Sequence, residues 1–426
     1  MIIFKKELNK AGKPAFCIQY MCMKKKVYTW TVVVLLLLTM SSCKKSDKFD
    51  EYQKIADNLY EVTCDEYDYD YLLKEGYGNV DYLEEFGCSG VRQGNYLGRN
   101  FDFVAWDAAE IVVKTTHKDN RYSSIGVTGG LFWLTSEFMD NGLDEDAKKL
   151  IPIFLLDGIN EKGLVIEINC VNANDVGGII QHTNPGKKQI HELCVVKYLL
   201  DNAASAKEAI EMIKDIDIVN TRDAMGLQNY TYDVHFLICD EKDSYVVEIN
   251  NSRKDLEKIV VLEGEEVMTN FYLHLSDIDN NVFPDNSAGI ERYRKLKDNK
   301  NSVNSFEDMK ELMRSVKYTN SYRLDNEYDP GIDFDNKYTC FSDHTIYKED
   351  EVIHYANHQE HYDELMSKMA LDEIEVEKVL NDPKLENPDK LWVTSHSSVY
   401  DIENKLMSIA VYERFDKYYN YSLEEQ

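Results

Sequence analysis

The chain has no surplus of basic charge: 48 Lys and Arg stand against 77 Asp and Glu in 426 residues, a formal net charge of -29. Without excess cations to replace counterions along a phosphate backbone, nucleic acid is not an expected partner. An anionic ligand would have to be met by a few placed arginines rather than by a general field. The nine cysteines, at 17, 22, 43, 64, 88, 170, 194, 239 and 340, contain no CxxC pair and no framework spacing, which argues against a zinc ribbon or a disulfide scaffold. No internal repeat or low-complexity tract is present, and no apolar run reaches the about 20 residues that a spanning helix needs. What is there is 43% apolar and 12% aromatic residues, enough to bury the core of one large domain or two small ones.

Residues 24–43, KKKVYTWTVVVLLLLTMSSC, join a basic stretch, an apolar stretch and small residues ahead of a cysteine, the pattern of an export signal. The cysteine that follows Ser41 and Ser42 resembles the lipobox of bacterial lipoproteins. That resemblance implies a leader over 1–42, a lipidated amino terminus at Cys43, and an exported chain anchored to the periplasmic or surface face of the bacterial cell envelope. A short membrane anchor or a plain secretory leader are the rival readings. MKKK begins at Met23, so translation is expected to start there, with 1–22 an upstream extension.

Residues 44–87 hold 13 Asp or Glu against 5 Lys or Arg, which suits an acidic tether or propeptide over 43–87. Within it, KIADNLYEV places apolar residues at helical spacing.

From residue 88 to 426 strand-like and helix-like stretches alternate. YLGRNFDFVAW, EIVVKTT, GLVIEINCV, DVHFLIC, SYVVEIN, KIVVLEG, WVTSHSSVYDI and KLMSIAVYE are rich in β-branched or aromatic residues and read as strands. Short turns between several of them imply antiparallel hairpins. HELCVVKYLLDN, SAKEAIEMIKDI after Ser205 and SFEDMKELMRSV after Ser305 read as helices. The mixture predicts an α+β fold with sheets covered by helices. Residues 321–390 are polar and weakly periodic and read as an insertion, with one helix near 358–381.

The most informative segment is CSGVR, residues 88–92, followed by GNYLGRNFDF. A tight turn around Gln93, Gly94 and Asn95 would fold these into a hairpin. In a strand residues two apart share a face, so Asn100 and Asp102 point one way and Arg99 and Phe101 the other. The hairpin returns a cation and a carboxylate toward Cys88.

CSGVR…GRNFDF resembles the opening of the choloylglycine hydrolase, or linear amide C–N hydrolase, family, which includes bile salt hydrolases, penicillin V acylases and related N-acyl amidases. DGINEKGLVIEIN at 157–169, MTN at 268–270, GIERYRKL at 289–296 and TSHSSVYDIENKLMSIAVYER at 394–414 are similar to further family segments in the same order. The resemblance implies the four-layer αββα sandwich of N-terminal nucleophile hydrolases, and hydrolysis of a linear non-peptide amide in a small N-acyl molecule such as a conjugated bile acid, penicillin V or an N-acyl amine. It implies no cofactor and no metal.

By the same resemblance the Gly87–Cys88 bond is cut, leaving Cys88 as nucleophile with its own α-amine as base. The intrinsic pKa values, about 7.7–8.0 for the amine and about 8.5 for the thiol, are closely matched. Arg99 would favour thiolate, and Asp102 would hold the α-amine. Asn270 and the backbone N–H of Cys170 would stabilise the oxyanion, a donor of this kind contributing about 2.7–4 kcal/mol. Arg292, rather than Arg294, would order Cys88. Where relatives carry Asn or Tyr, the aligned residue is Cys170, with Asn169 and Asn172 beside it, so this position does not select among the substrate classes.

Other readings stay open at this point. An acyltransferase of the isopenicillin N type would replace water by an amine, and a surface lipoprotein could keep the fold and only bind. A papain-like site would need a histidine base, for which His191, His235, His274 and His396 are available. His354, His358 and His361 read as a polar helix face rather than a zinc site. Beyond substrate and membrane, a homo-oligomer is the remaining candidate partner.

Overall fold

The computed structural model describes residues 52–75, 87–103, 109–117, 120–129, 139, 143, 145–172, 184, 186–219, 232–250, 257–284, 287–317, 322–323, 339–340, 346–347, 351–352, 393–411 and 414–423. The leader with Cys43, the helix expected near 358–381, and His354, His358 and His361 lie outside these residues. Among the described residues no helix is long and apolar enough to cross a membrane.

Elements run in the order β1 (Gln53–Ala56), β2 (Leu59–Thr63), α1 (Tyr71–Glu75), β3 (Gly87–Gln93), β4 (Tyr96–Phe103), β5 (Glu110–Thr115), β6 (Ser124–Thr128), α2 (Glu145–Leu150), β7 (Asp157–Asn160) and β8 (Val165–Asn172). They continue with β9 (Lys188–His191), α3 (Val195–Asn202), α4 (Ala206–Asp215), β10 (Ile216–Val219), β11 (Tyr232–Cys239), β12 (Ser244–Ile249), β13 (Ile259–Glu263), β14 (Val267–Met268), α5 (Ile290–Asn299) and α6 (Phe306–Ser315). Four two-residue strands follow, β15 (Tyr322–Arg323), β16 (Thr339–Cys340), β17 (Ile346–Tyr347) and β18 (Glu351–Val352), before β19 (Val393–Asp401), β20 (Leu406–Val411) and β21 (Tyr419–Ser422).

One sheet has nine strands in the order β1-β2-β5-β6-β7-β8-β11-β12-β13, and a second has six in the order β14-β3-β4-β19-β20-β21. Neighbours are antiparallel except β2 and β5, which run parallel. Strand alternation divides the apolar residues of the nine-stranded sheet between two cores. Ile166, Ile168, Phe236, Ile238 and Val247 pack with Val195 and Leu199 of α3 and Ile210 and Ile213 of α4. Their neighbours Val165, Leu237, Cys239 and Val246 face Val91, Leu97 and Val399 of the other sheet, in a core that also takes in Leu296 of α5 and Met309 and Met313 of α6. Helices therefore cover the outer face of each sheet, giving the four layers of an αββα sandwich. Each large side chain buried this way stabilises the fold by about 1.5–3 kcal/mol.

The helix caps follow the sequence. Ser205 Oγ accepts from Glu208 N–H at 3.2 Å, and Ser305 Oγ accepts from Asp308 N–H at 3.1 Å. KIADNLYEV differs from its helical expectation, because it forms the β1–β2 hairpin with Asn58 at φ 60° in the turn. Its helix-like spacing arises because β2 buries both faces, Leu59 toward one core and Tyr60 and Val62 toward the other. Residues 52–75 of the acidic segment thus belong to the main sheet and its cover.

Two glycines of the hairpin motif are explained by close approach. A Cβ on Gly90 would lie 1.5 Å from Glu167 Oε1 on the facing sheet, and one on Gly98 would lie 2.4 Å from Met313 Cγ of α6.

Candidate active site

Cys88 is the second residue of β3 and is fully buried. It lies opposite Phe101 in the β3–β4 register, and Gly87, still joined to it, lies opposite Asp102. The connecting turn is tight because Gly94 adopts φ 58°, which suits a residue without Cβ. The two faces of β4 separate as alternation requires. Asn100 Nδ2 donates to the C=O of Met313 on the helix side, while Arg99 points between the sheets.

Different groups grip each polar atom of Cys88. Arg99 Nη2 donates to Sγ at 3.5 Å and to the C=O of Ile168 at 3.0 Å. The Cys88 N–H donates to Asn270 Oδ1 at 2.9 Å. Arg292 Nη1 donates to the Cys88 C=O at 2.9 Å and to Asp102 Oδ2 at 2.7 Å, and Nη2 donates to Asn270 Oδ1 at 3.0 Å. Two donors converging on Oδ1 fix the orientation of the Asn270 amide, whose Nδ2 donates to the C=O of Cys170 at 2.9 Å. Thr394 Oγ1 donates to Asp102 Oδ1 at 2.7 Å. Arg294 turns instead toward Asn281 and the Phe283 ring.

In the continuous chain, then, Asn270 accepts from the Cys88 N–H, and Asp102 is engaged by Arg292 and Thr394. The structure brings Cys88, Arg99, Asp102, Cys170, Asn270 and Arg292 into one cluster.

Burial pushes the Cys88 thiol up to about 12, outweighing the pull of Arg99 and Arg292; the nearby Asp102 carboxylate adds to the rise. The thiolate expected from Arg99 alone is thus not reached while the bond to Gly87 is intact, since desolvation disfavours the charged form more than one cation favours it.

Behind Arg99 lies a buried layer whose residues the sequence motifs contain without joining them. Asp157 Oδ2 accepts from Arg99 Nη1 at 2.9 Å and contacts His396 Nε2 at 3.0 Å, and Asp157 Oδ1 accepts from the Tyr400 hydroxyl. His396 Nδ1 lies 2.7 Å from Glu110 Oε2. The Asp157 carboxyl is held below its ordinary range: burial alone would raise it, but Arg99, His396 and Tyr400 outweigh that. Burial likewise works against a charged His396, yet the Glu110 and Asp157 carboxylates raise its pKa. With both ring nitrogens on carboxylates, His396 has no nitrogen left to take a proton from Cys88, which removes its role in a papain-like site. Glu167, 4.0 Å from Arg99 Nε, is pushed well above the ordinary carboxyl range by burial.

The loop bearing Asn270 is fixed from the nine-stranded sheet. His235 Nε2 lies 2.6 Å from the C=O of Thr269, and Glu248 accepts from the N–H groups of Leu273 at 2.6 Å and His274 at 3.2 Å. Thr269 Oγ1 donates to the C=O of Gly289 at 3.1 Å, tying that loop to the start of α5. Gly289 adopts φ 75°, and a Cβ there would lie 2.9 Å from Arg292 Nη2 and 3.0 Å from Thr269 Cβ.

The family of linear amide C–N hydrolases, choloylglycine hydrolase family, matches residues 89–311, just over half of the chain. The chain belongs to this family. Among solved structures, this choloylglycine hydrolase family member is similar to two mutants of the conjugated bile acid hydrolase from Clostridium perfringens, at 17% and 16% identity. Each alignment covers 80% of this chain and 93% of that chain, with a TM-score of 0.39. The penicillin V acylase from Agrobacterium tumefaciens is 14% identical over 76% of this chain and 82% of that chain, with a TM-score of 0.35. These likenesses are too distant to carry an argument, and membership rests on the family match. No curated protein matches by sequence. The protein is an enzyme, a linear amide C–N hydrolase.

The sequence places Asp157 inside the DGINEKG segment without a role and offers His396 only as a base. Their partners come from β4, β5, β7 and β19, so no local spacing could have joined them.

Two outcomes are expected. Gly289→Ala meets a strained left-handed backbone, costing about 1–2 kcal/mol, and a displaced Arg292, so kcat/KM should fall about 10²-fold with a lower melting temperature; steady-state assay and thermal melting check both. Glu248 bears on acid stability. Burial raises its carboxyl, but His235, 3.7 Å away, and the hydrogen-bonded His274 bring it from 4.5 down to about 2. A folded-state value below the unfolded one adds stability that is complete above about pH 4.5 and is lost as pH falls toward about 2. Melting temperatures measured over that window should fall more steeply for the native protein than for Glu248→Gln.

Proposed function

We propose that this amide hydrolase acts through Cys88 after scission of the Gly87–Cys88 bond. The observation that carries the reading is the convergence of Arg99 on Sγ, Asn270 on the N–H and Arg292 on the C=O of one residue. Any buried residue needs partners for its N–H and C=O; here both are met by polar side chains, and a guanidinium also meets the sulfur, which a core-filling thiol does not need. The family match opens at residue 89, directly after it.

Scission turns the Cys88 N–H into an amine beside Asn270 Oδ1. The amine takes the thiol proton as sulfur attacks the carbonyl carbon of the substrate amide. The tetrahedral oxyanion is met by Asn270 Nδ2, which must first release the Cys170 C=O, and by the backbone N–H of Cys170. The intermediate collapses with cleavage of the C–N bond, and the amine of Cys88 passes its proton to the leaving amine. Water then attacks the thioester, its proton going back to the amine, and releases the carboxylic acid. Arg292 and Asp102 keep the nucleophile in register, and Arg99 draws the sulfur toward thiolate against its burial.

The substrate is an N-acyl amide of small size. The family's linear amide C–N chemistry supports that class, with conjugated bile acids, penicillin V and N-acyl amines as the candidates. The export pattern over 24–43 supports a chain carried to the cell envelope and held there by a lipid on Cys43.

Cys88→Ala should abolish release of amine from every member of a panel of such amides; undiminished turnover by that variant would remove Cys88 from the chemistry. Cys43→Ser should move the protein from the membrane to the soluble fraction of the envelope, and an unchanged distribution would sink the lipid anchor.

A further inference from the structure

The segment ahead of the nucleophile is built into the fold. β2 runs parallel to β5 over five registered pairs, from Leu59 opposite Glu110 to Thr63 opposite Lys114. The Glu110 N–H donates to the Asn58 C=O at 2.8 Å and the Cys64 N–H to the Lys114 C=O at 2.9 Å, so the ladder extends at both ends. Leu59, Tyr60, Val62 and Leu72 are buried, and β1 and β2 form the end of the nine-stranded sheet.

A polar contact adds specificity. Lys197 and Asp201 of α3 form a fully buried ion pair, and Lys197 Nζ also donates to Thr115 Oγ1 and Ser124 Oγ, each at 3.1 Å. The hydroxyls of Tyr67 and Tyr69 both donate to Asp201 Oδ2, and Lys197 Nζ stands 4.7 Å from the Tyr67 ring centroid. Asp65 Oδ1 accepts from the Thr116 N–H at 2.7 Å. Without this segment a buried ion pair would meet water on one side, and β5, with Ile111, Val112 and Val113 buried, would become an apolar sheet edge open to aggregation.

We propose that residues 52–75 stay bound after the Gly87–Cys88 bond is cut, so that the mature enzyme is a non-covalent complex of two chains. The small chain completes the nine-stranded sheet and seals the Lys197–Asp201 pair; the large chain begins at Cys88. The inference rests on the scission proposed above. A lipid on Cys43 would then be tied to the catalytic chain by non-covalent contacts, among them those of β2, Asp65, Tyr67 and Tyr69.

The full-length protein, purified after expression, is measured by mass spectrometry under denaturing and native conditions. The expected result is two fragments when denatured and one species of their summed mass when native. Two fragments when denatured with the large one alone when native would overturn retention and leave the Cys88 chemistry standing. One uncut chain under denaturing conditions would overturn the scission, and the two-chain complex with it. A second measurement uses the variant carrying Val62→Asp and Tyr69→Ala, which should lose its small chain on dilution at least about tenfold faster than the native protein. Equal retention by that variant would show that the association owes nothing to this interface, and would overturn the proposal.

Discussion

The structure turns on a guanidinium placed where no water reaches. Arg99 is fully buried between the two sheets, and a charge in such a place is tolerated only when paired and hydrogen-bonded. Its partners belong to both sheets: Asp157 on β7 and the Ile168 carbonyl on β8 from one, Cys88 on β3 from the other. A relative slip of the sheets would strand the cation. The interaction that draws the sulfur toward thiolate therefore also fixes how the sandwich closes, with Gly90 providing the room for Glu167 beside it.

Cys88 is held from a second direction by groups that are themselves held. Asn270 follows Thr269, whose carbonyl meets His235 and whose hydroxyl meets Gly289. Arg292 lies three residues into the helix that Gly289 starts. A helix, a loop and a hairpin from distant parts of the chain are thus locked to one another at the Cys88 backbone, the kind of support that keeps groups in position.

What was legible in the sequence follows from how locally each feature is encoded. The hairpin from Cys88 to Phe103 could be read because strand alternation and the Gly94 turn are short-range, and they place Arg99 and Asp102 on opposite faces as observed. Arg292, Asn270 and Cys170 were reachable only through resemblance, since 182 residues separate Cys88 from Asn270. The Asp157, His396 and Tyr400 layer was not legible, because it exists only once β4, β7 and β19 are stacked. KIADNLYEV misled because a strand buried on both faces loses the alternation that marks it, and its acidic surroundings suggested exposure where Tyr67 and Tyr69 in fact reach a buried carboxylate.

The placement of Gly87 has a further consequence. It is a strand residue registered opposite Asp102, not part of a loop leading up to the site, and the sulfur next to it is sealed from solvent. While that glycine keeps its seat, no outside amide can reach the thiol, and the thiol stays protonated at neutral pH. Under the scission proposed above, one cut would therefore do two things at once, freeing an amine beside the sulfur and unseating the residue that stands next to it.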